Sequence, residues 1–355
     1  MIPDDYEARI RAAWQGRISG CMLGKAVELF SMRQGTDELQ RYLEDVQARP
    51  LRDYIPFDAE RAPEILLKGC CREEMSASLA DDDINYSVLA LMLLEAHGSH
   101  LQTEDVARAW LKHLPVGSTF TAERAAYKTL LSQGAEWFPE GAPLGFDIEA
   151  CADNPFNDWI GAQIRADLYG WVSPGRPELA ASLAETDARL SHQGEGIYGA
   201  VVIAVMGSVL ASGGAMSEAM SVARAAIPQG SACREVIDLA ESLRAQADGG
   251  AHIRQVYADL NVVHTVNNLG LVIWALLRHS DDFSAAIGEV VTEGLDTDCN
   301  GATVGALWAL QGKPLPQHWS APWQGRVGVS LAGQTELDLE GLVQRTLKVA
   351  SSLDA

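Results

Sequence analysis

Apolar side chains recur along most of the chain at the three- to four-residue spacing of an α-helix. At 84–97, for example, Ile84, Val88, Leu91 and Met92 form one stripe in a segment without Gly or Pro, a pattern typical of an amphipathic helix. The same spacing predicts helices at 103–114, 122–131, 177–190, 197–212, 217–226, 233–245, 262–278, 283–292, 302–310 and 339–351. Few segments alternate between apolar and polar residues as strands do. The pattern therefore predicts an all-α fold of ten or more helices.

Local signals refine this picture. Thr103 and Ser217 are residue types that favour the N-cap position, and each is followed by an acidic residue that suits a first helical turn. Two segments, 132–176 and 312–335, are rich in Gly, Pro and Trp and are predicted to be irregular loops. No linker or repeat divides the chain, so residues 1–355 are predicted to form a single compact multi-helix bundle.

Three glycines near the N-terminus predict a close contact between two helices. Gly16, Gly20 and Gly24 are four residues apart, and this spacing places them on one face of a helix. Each glycine lowers helix stability by about 1 kcal/mol relative to alanine, so three in register indicate close backbone packing. The small-residue segment 301–309 is the expected neighbour.

Composition and charge limit the class of protein. The 355 residues include 48 acidic and 27 basic side chains, for a formal net charge of −21, and 47% of the residues are hydrophobic. Such a composition supports a globular core, while the acidic excess argues against binding of long nucleic acids and of anionic membranes. The uncharged segment 197–216 is interrupted by Gly213 and Gly214 and is too short to span a bilayer, so it is predicted to be a buried helix.

The six cysteines indicate the compartment. They contain no C-x-x-C pair, and the N-terminus shows no apolar signal segment. Reduced thiols in a cytoplasmic protein are therefore expected.

Two acidic motifs are the strongest chemical signal. Asp81, Asp82 and Asp83 directly precede one predicted helix. Asp296 and Asp298 directly precede another. Alone, the first motif fits a helix cap with solvated acids, and the second fits an Asx-turn followed by an N-cap. If the two helix starts meet, however, five carboxylates share one small volume and require cations. Oxygen ligands favour Mg²⁺ or Mn²⁺, and two ions suit this many carboxylates better than one.

A third motif lies before the predicted buried helix. Residues 191–200 read Ser-His-Gln-Gly-Glu-Gly-Ile-Tyr-Gly-Ala. Its glycines allow a ligand phosphate to approach the backbone, although His192 also fits the role of a structural hydrogen-bond partner. His264, Asn267 and Asn268 would share one face of a helix, and an internal hydrogen-bond network is the favoured interpretation.

In this order and at these separations, the motifs resemble the ADP-ribosylglycohydrolase family, which includes the dinitrogenase-reductase-activating glycohydrolases and the ADP-ribosyl-acceptor hydrolases. The similarity covers most of the chain. The glycine-rich segment 16–24 of this chain, followed by Glu28, is similar to the family's N-terminal helix and its acidic residue. Asp81-Asp82-Asp83 stands where the family carries Thr-Asp-Asp. The segment 191–200 and Asp296-Thr297-Asp298 match the family's Ser-His and Asp-Thr-Asp motifs.

The resemblance implies an all-α fold with a two-magnesium centre that hydrolyses the bond between ADP-ribose and its acceptor. By position, Asp82, Asp83, Asp296 and Asp298 would be metal ligands. Three positions depart from the family pattern: Asp81 replaces Thr, Cys299 replaces a metal-binding Thr, and Lys25 replaces an Asp. A thiol is a poor Mg²⁺ ligand, so Cys299 either weakens one metal site or leaves it to be completed by Asp81.

The expected reaction assigns further roles. Cleavage at an anomeric carbon builds positive charge on the ribose, and Asp298 or Glu28 would orient or deprotonate the attacking water. The candidate substrate-binding residues are His192, Gly194, Glu195, Gly196, Tyr198, Asn154 and Gln163. The substrate would be an ADP-ribosylated or ribosylated small molecule or protein.

Two alternatives stay open at this point. One is an N-glycoside hydrolase of a smaller ribosylated metabolite, which the departures at Asp81 and Cys299 favour. The other is a non-catalytic structural or ligand-binding relative, against which the four signature aspartates argue.

Overall fold

The computed structural model describes residues 2–133 and 145–353 and is almost entirely helical there. Seventeen α-helices lie in these ranges: α1 (Tyr6–Lys25), α2 (Glu28–Gln34), α3 (Thr36–Asp45), α4 (Asp82–His97), α5 (Thr103–His113), α6 (Thr121–Gln133), α7 (Gly161–Arg165), α8 (Asp167–Trp171), α9 (Pro177–Ala188), α10 (Glu195–Ala211), α11 (Met216–Ala226), α12 (Ala232–Leu243), α13 (Gly249–Val256), α14 (Thr265–Arg278), α15 (Phe283–Thr292), α16 (Thr297–Ala309) and α17 (Leu339–Leu353). Short 3₁₀ turns lie at Lys68–Cys70, Gly98–His100, Val116–Ser118, Ile148–Cys151 and Gln317–Trp319. The all-α prediction is confirmed.

The centre of the bundle is the contact between α1 and α16, which the glycine spacing predicted. A Cβ atom on Gly20 would lie 1.9 Å from the carbonyl oxygen of Gly301, and one on Gly24 would lie 2.1 Å from that of Thr297. The Gly16 position is equally closed. The two backbones therefore touch along three turns, which fixes the C-terminus of α1 against the N-terminus of α16.

Helix α10 is the predicted buried helix. Its residues are buried from 199 to 211, and it packs mainly against α8, α9 and α11. No helix in the described ranges combines the length and apolar character that crossing a bilayer requires.

Two predicted N-caps are wrong. The N-cap residue of α5 is Gln102 rather than Thr103, and the backbone N–H of Gln102 donates to Asp105 Oδ2 at 3.0 Å. The Thr103 hydroxyl donates instead to the carbonyl of Thr186 on α9. Ser217 lies inside the first turn of α11. At the start of α5, the Thr103 hydroxyl is engaged in this contact with α9. Such a long-range contact cannot be read from the local sequence.

Two helix starts near the acidic motifs also differ from prediction. Helix α14 begins at Thr265, and His264 is its N-cap, with Nδ1 accepting the N–H of Val266 at 3.1 Å. Helix α16 begins five positions before the predicted 302, at Thr297. Asp298 therefore lies in its first turn rather than in a preceding loop, a position where the helix dipole stabilises a carboxylate.

The two segments predicted to be irregular contain regular elements. The described part of 132–176 holds a 3₁₀ turn and the short buried helices α7 and α8, while residues 134–144 lie outside the described ranges. From 326 onward, β1 (Arg326–Leu331) and β2 (Gln334–Asp338) form an antiparallel hairpin. Its first strand buries Val327, Val329 and Leu331, an alternation that does predict a strand.

Candidate active site

The acidic N-termini of α4 and α16 meet beside the start of α2. Three groups of potential ligand atoms form there, each with its atoms within 4.8 Å of one another: Cys21, Asp81 and Asp83; Asp83, Asp298 and Cys299; and Glu28, Asp296 and Asp298. Asp83 belongs to the first two groups and Asp298 to the last two, so the groups are continuous. We call these seven residues the acidic centre. Half-buried Asp82, also a predicted ligand, belongs to none of the three groups.

The carboxylates of the acidic centre are removed from water. The exposed fractions are 4% for Asp81, 0% for Asp83, 4% for Asp296 and 2% for Asp298. Asp81 caps α4 and Asp296 is the N-cap residue of α16, so the capping interpretation holds for these two residues, but none of the four carboxylates is solvated. They meet inside the protein, as expected if the two helix starts come together.

Burial changes the protonation of this centre. It raises the pKa of Asp296 well above its usual range, and the neighbouring Asp298 charge adds to the effect. Burial together with the Asp298 charge also raises the pKa of Glu28 to about 10. Like charges this close cannot all ionise without a compensating cation. The centre therefore either retains protons or binds a cation.

The α4 side of the centre already holds one cation from the chain. Asp81 caps α4, since its Oδ1 accepts the N–H of Asp83 at 2.8 Å, and its Oδ2 accepts from Lys25 Nζ. Burial alone would lower the pKa of Lys25, but the charges of Asp81 and Asp298 outweigh it and place the pKa far above its usual range. Lys25 is therefore a fixed positive charge inside the centre.

A second cation, Arg17, supports the same side from α1. It is fully buried and donates to Asp83 Oδ1 at 3.1 Å, to Asp167 Oδ2 at 2.8 Å and to the carbonyl of Ile164 at 2.6 Å. No sequence motif singled it out. A usable signal was its place between Gly16 and Gly20 on a helix predicted to be central, because a buried arginine requires anionic partners.

On the α16 side, an asparagine positions the first aspartate. Asn268 Oδ1 accepts the N–H of Asp296 at 3.3 Å and the amide of Asn300 at 2.7 Å. Its own amide donates to the carbonyls of Val262 and His264, both at 2.8 Å. The predicted internal network is confirmed, and it joins α14 to the start of α16.

The donor atoms fit a divalent cation. Asp83 Oδ2 is buried and has no hydrogen-bond partner within the described residues. The group of Glu28, Asp296 and Asp298 offers only carboxylate oxygens, the donors that Mg²⁺ and Mn²⁺ prefer. The other two groups each include a thiol, which is a softer donor.

The Ser-His motif lies on a buried polar network. His192 Nδ1 lies 2.8 Å from Ser191 Oγ, and Arg165 reaches both Ser191 Oγ at 3.1 Å and Glu123 Oε1 at 2.5 Å. Burial lowers the pKa of His192 well below its usual range, and the Arg165 charge adds to this. His192 is therefore neutral near pH 7.

This network borders the acidic centre through Glu123. Burial raises the pKa of Asp82 well above its usual range, and the charges of Asp81, Asp298 and, more weakly, Glu123 contribute. His192 Nε2 lies 3.9 Å from Glu123 Oε1. Glu123, a buried acid on α6, was not predicted as a site residue, because nothing near it in sequence marks its partners.

The predicted substrate-binding residues near α10 differ in accessibility. Gly194 is exposed, has φ +48°, and leaves open space around its missing side chain. Gly196 is closely packed, since a Cβ there would lie 2.4 Å from the carbonyl oxygen of Asn157. Tyr198 is half-buried, whereas Gln163 is fully buried and its amide has no hydrogen-bond partner in the described residues.

Glu195 and Asn154 make contacts within the protein. Both carboxylate oxygens of Glu195 accept backbone N–H groups at the start of α12, from Ala232 at 2.9 Å and Cys233 at 2.8 Å. The Asn154 amide donates to the carbonyl of Ser191 at 3.0 Å. The second contact brings together the two segments that were predicted to bind substrate.

A cavity of about 950 Å³ lies elsewhere, between α4, α5, the hairpin and α17. Its lining residues on α4, from Met92 to His97, are at the opposite end of that helix from Asp82 and Asp83. None of the predicted site residues belongs to its described lining.

The fold and the acidic centre define an all-α protein with a candidate site for a divalent cation. The sequence model of the ADP-ribosylglycohydrolase family matches residues 2–352, and the chain belongs to this family. A solved structure described as an "ADP-ribosylglycohydrolase-related protein complex" is similar with a TM-score of 0.62 and 18% sequence identity, covering 99% of this chain and 100% of that chain. This likeness shows the shared helical fold. No curated protein matches the chain.

Proposed function

We propose that this protein is a metal-dependent hydrolase that cleaves the glycosidic bond between ADP-ribose, or a related ribosyl group, and its acceptor. The observation that carries the proposal is the meeting of Glu28, Asp296 and Asp298 with the α4 aspartates inside one buried volume. Membership in a glycohydrolase family supports the same reaction. The four signature aspartates, all at the two helix starts, argue against a relative that has lost its chemistry.

Glu28, Asp296 and Asp298 would hold the metal ion through their oxygens. Mg²⁺ is the expected ion, and Mn²⁺ has the same donor preference. When bound, such an ion neutralises the carboxylates, orients substrate oxygens and makes water a stronger nucleophile. Asn268 Oδ1 accepts the backbone N–H of Asp296, so Asp296 stays in position without the ion.

The chain's own residues supply the proton transfer. Glu28 is half-buried, whereas Asp296 and Asp298 are almost fully buried. Water therefore reaches Glu28 more readily, and we assign to its second oxygen, the one that does not face the ion, the role of orienting and deprotonating the attacking water. Asp298, shared by two ligand groups, would act through its charge on the developing oxocarbenium ion.

Substrate binding is assigned to the segments that begin α10 and precede α7. The open backbone at Gly194 suits close approach of a phosphate, and half-buried Tyr198 lies on the next turn. Binding of anionic ADP-ribose by a chain of net charge −21 requires fixed positive charge. The metal ion and Lys25 would supply it beside the ribose.

The decisive assay measures release of ADP-ribose from arginine-linked and serine-linked ADP-ribosyl conjugates, with Mg²⁺ or with EDTA. The wild-type protein is expected to hydrolyse at least one conjugate only when Mg²⁺ is present. Asp296→Ala should lower the rate about 100-fold or more, because it removes a ligand rather than a supporting contact. Asp259→Ala changes an exposed aspartate and should leave the rate unchanged.

Two outcomes contradict the proposal: equal hydrolysis in EDTA, or an unchanged rate in Asp296→Ala. A panel of smaller N-ribosylated metabolites in the same assay determines the size of the substrate. Turnover of that panel alone would favour the smaller-metabolite hydrolase. No turnover of any substrate would favour a non-catalytic relative.

We also propose that the protein works in the cytoplasm. All six cysteines are free and buried, which suits a reducing compartment. Fractionation of cells that express the full chain tests this assignment, and recovery of the protein outside the cytoplasmic fraction would contradict it.

A further inference from the structure

One charged residue inside the acidic centre has no part in the proposed proton transfer. Lys25 is the last residue of α1. The preceding Gly24 touches the backbone of Thr297, and the Thr297 hydroxyl donates to the Gly24 carbonyl at 2.8 Å. The contact between α1 and α16 therefore places Lys25 next to the carboxylates, where its Nζ reaches Asp81.

Lys25 occupies one of the acidic groups. Its Nζ pairs with Asp81 Oδ2, while Asp81 Oδ1 holds the N–H of Asp83. Both oxygens of this carboxylate are thus committed within the chain. The ammonium group therefore already pairs with Asp81, one of the three residues that would bind a cation at Cys21, Asp81 and Asp83.

The opposite side of the centre has no such partner. Within the described residues, no ion pair includes Glu28, Asp296 or Asp298. The ion pairs of Arg17 and Lys25 within the centre are with Asp83 and Asp81 at the start of α4 instead, although the Asp298 charge also acts on Lys25. The positive charge that the chain supplies is therefore concentrated on one side, and the all-oxygen group on the other side is left for an ion.

We infer that the Lys25 ammonium group takes the place of one divalent ion, so that the centre binds a single ion at Glu28, Asp296 and Asp298 instead of a pair. The inference rests on the proposed metal site and specifies its composition. It assigns Asp81 to holding Lys25 and capping α4, and excludes it from the metal ligands. Lys25 is a positioning residue that supplies fixed charge.

Counting bound Mn²⁺ tests the inference without any activity measurement. Electron paramagnetic resonance of free Mn²⁺ during titration gives the number of ions per chain. The wild-type protein should bind one tight ion, and Lys25→Arg, which keeps the charge, should also bind one. Lys25→Met releases Asp81 and should bind two. Lys313→Met removes a lysine that pairs with exposed Asp281 and should bind one.

A second comparison does not depend on the folding of the Lys25 variants. Asp81→Asn keeps a good N-cap residue and should leave Mn²⁺ affinity within about threefold of wild type, whereas Asp296→Asn should weaken it about 100-fold or more. Two tight ions in the wild-type protein overturn the inference, as does one ion in folded Lys25→Met or a large affinity loss in Asp81→Asn. Binding of no ion at all overturns the proposed function itself.

Discussion

Arg17 stabilises the bundle at a point where a charged side chain is normally costly. It has no exposed surface, and two carboxylates and two backbone carbonyls accept its N–H groups. Such a residue contributes through a complete set of partners, since the desolvation of a buried charge is offset only when each group is satisfied. Asp83 and Asp167 would both be left unpaired without it.

Replacing this arginine should therefore be severe. Arg17→Met is expected to lower the free energy of unfolding by about 3–5 kcal/mol, the usual range when one partner of a buried ion pair is removed. Urea denaturation followed by circular dichroism measures the change. Arg41→Met removes an exposed arginine that pairs with Glu38, and should have little effect. Equal changes in the two variants would show that the Arg17 contacts do not stabilise the fold.

His192 should make the protein sensitive to mild acid. Burial and the Arg165 charge lower its pKa in the folded state, whereas an unfolded histidine titrates near 6.5. The stabilisation is thus fully present above the unfolded pKa and is lost as the pH falls below it. Compared with His192→Gln, the wild-type free energy of unfolding should decrease by about 1.4 kcal/mol more per pH unit below about 6.5.

Urea denaturation of both proteins between pH 7.5 and 5.5 checks this difference. Titrating carboxylates are common to the two proteins, so the difference isolates His192. Parallel curves would mean that His192 keeps an ordinary pKa in the folded protein.

At the level of single residues, local motifs predicted the acidic centre but not the basic side chains that pair with it. Asp296 and Asp298 are two positions apart, so their pattern is visible in one short segment. Lys25 and its partner Asp81 are 56 residues apart, and Arg17 lies 66 residues from Asp83. Which basic side chain meets which acid depends on how α1 packs against α4, and no local pattern contains that information.

The element that organises the molecule is the glycine contact between α1 and α16. At Gly16, Gly20 and Gly24, any side chain larger than hydrogen would collide with a backbone carbonyl of α16. The same contact sets where Lys25 and Asp298 lie. Stability and site geometry are therefore determined by one helix pair.

Gly20→Ala tests the importance of this contact. The added Cβ would lie 1.9 Å from the Gly301 carbonyl oxygen, so the helices must separate. The free energy of unfolding should fall by at least about 3 kcal/mol, the upper range for overpacking. Gly230→Ala places its Cβ in open space and serves as the matched control. A thermal unfolding midpoint for Gly20→Ala equal to that of the control would contradict the closeness of the contact.

Helices were predictable where apolar periodicity extended over several turns, as in α4 and α10. The five-residue helices α7 and α8 were not predicted, because such short helices depend on tertiary contacts such as those of Arg165 and Asp167. The start of α16 was placed too late, since Asp298, Cys299 and Asn300 are weak helix formers in the interior of a helix. In the first turn of α16, which packs against Gly24, the same three residues are tolerated.

At the scale of the whole molecule, the charge of −21 has two parts. Most acidic residues lie outside the acidic centre, and their charge disfavours polyanionic partners. The centre itself must retain protons or bind cations, and the chain supplies Arg17 and Lys25 on one side of it. In the proposed function, a bound metal ion together with this fixed charge would let an acidic protein bind one small nucleotide-containing anion.

The most direct test of this account is anomalous X-ray diffraction from crystals of the protein with Mn²⁺ and ADP-ribose. An anomalous peak is expected in contact with the carboxylates of Glu28, Asp296 and Asp298, with the ribose of ADP-ribose facing it. No peak at these carboxylates, or ADP-ribose bound away from them, would contradict the assignment of the acidic centre as the catalytic site.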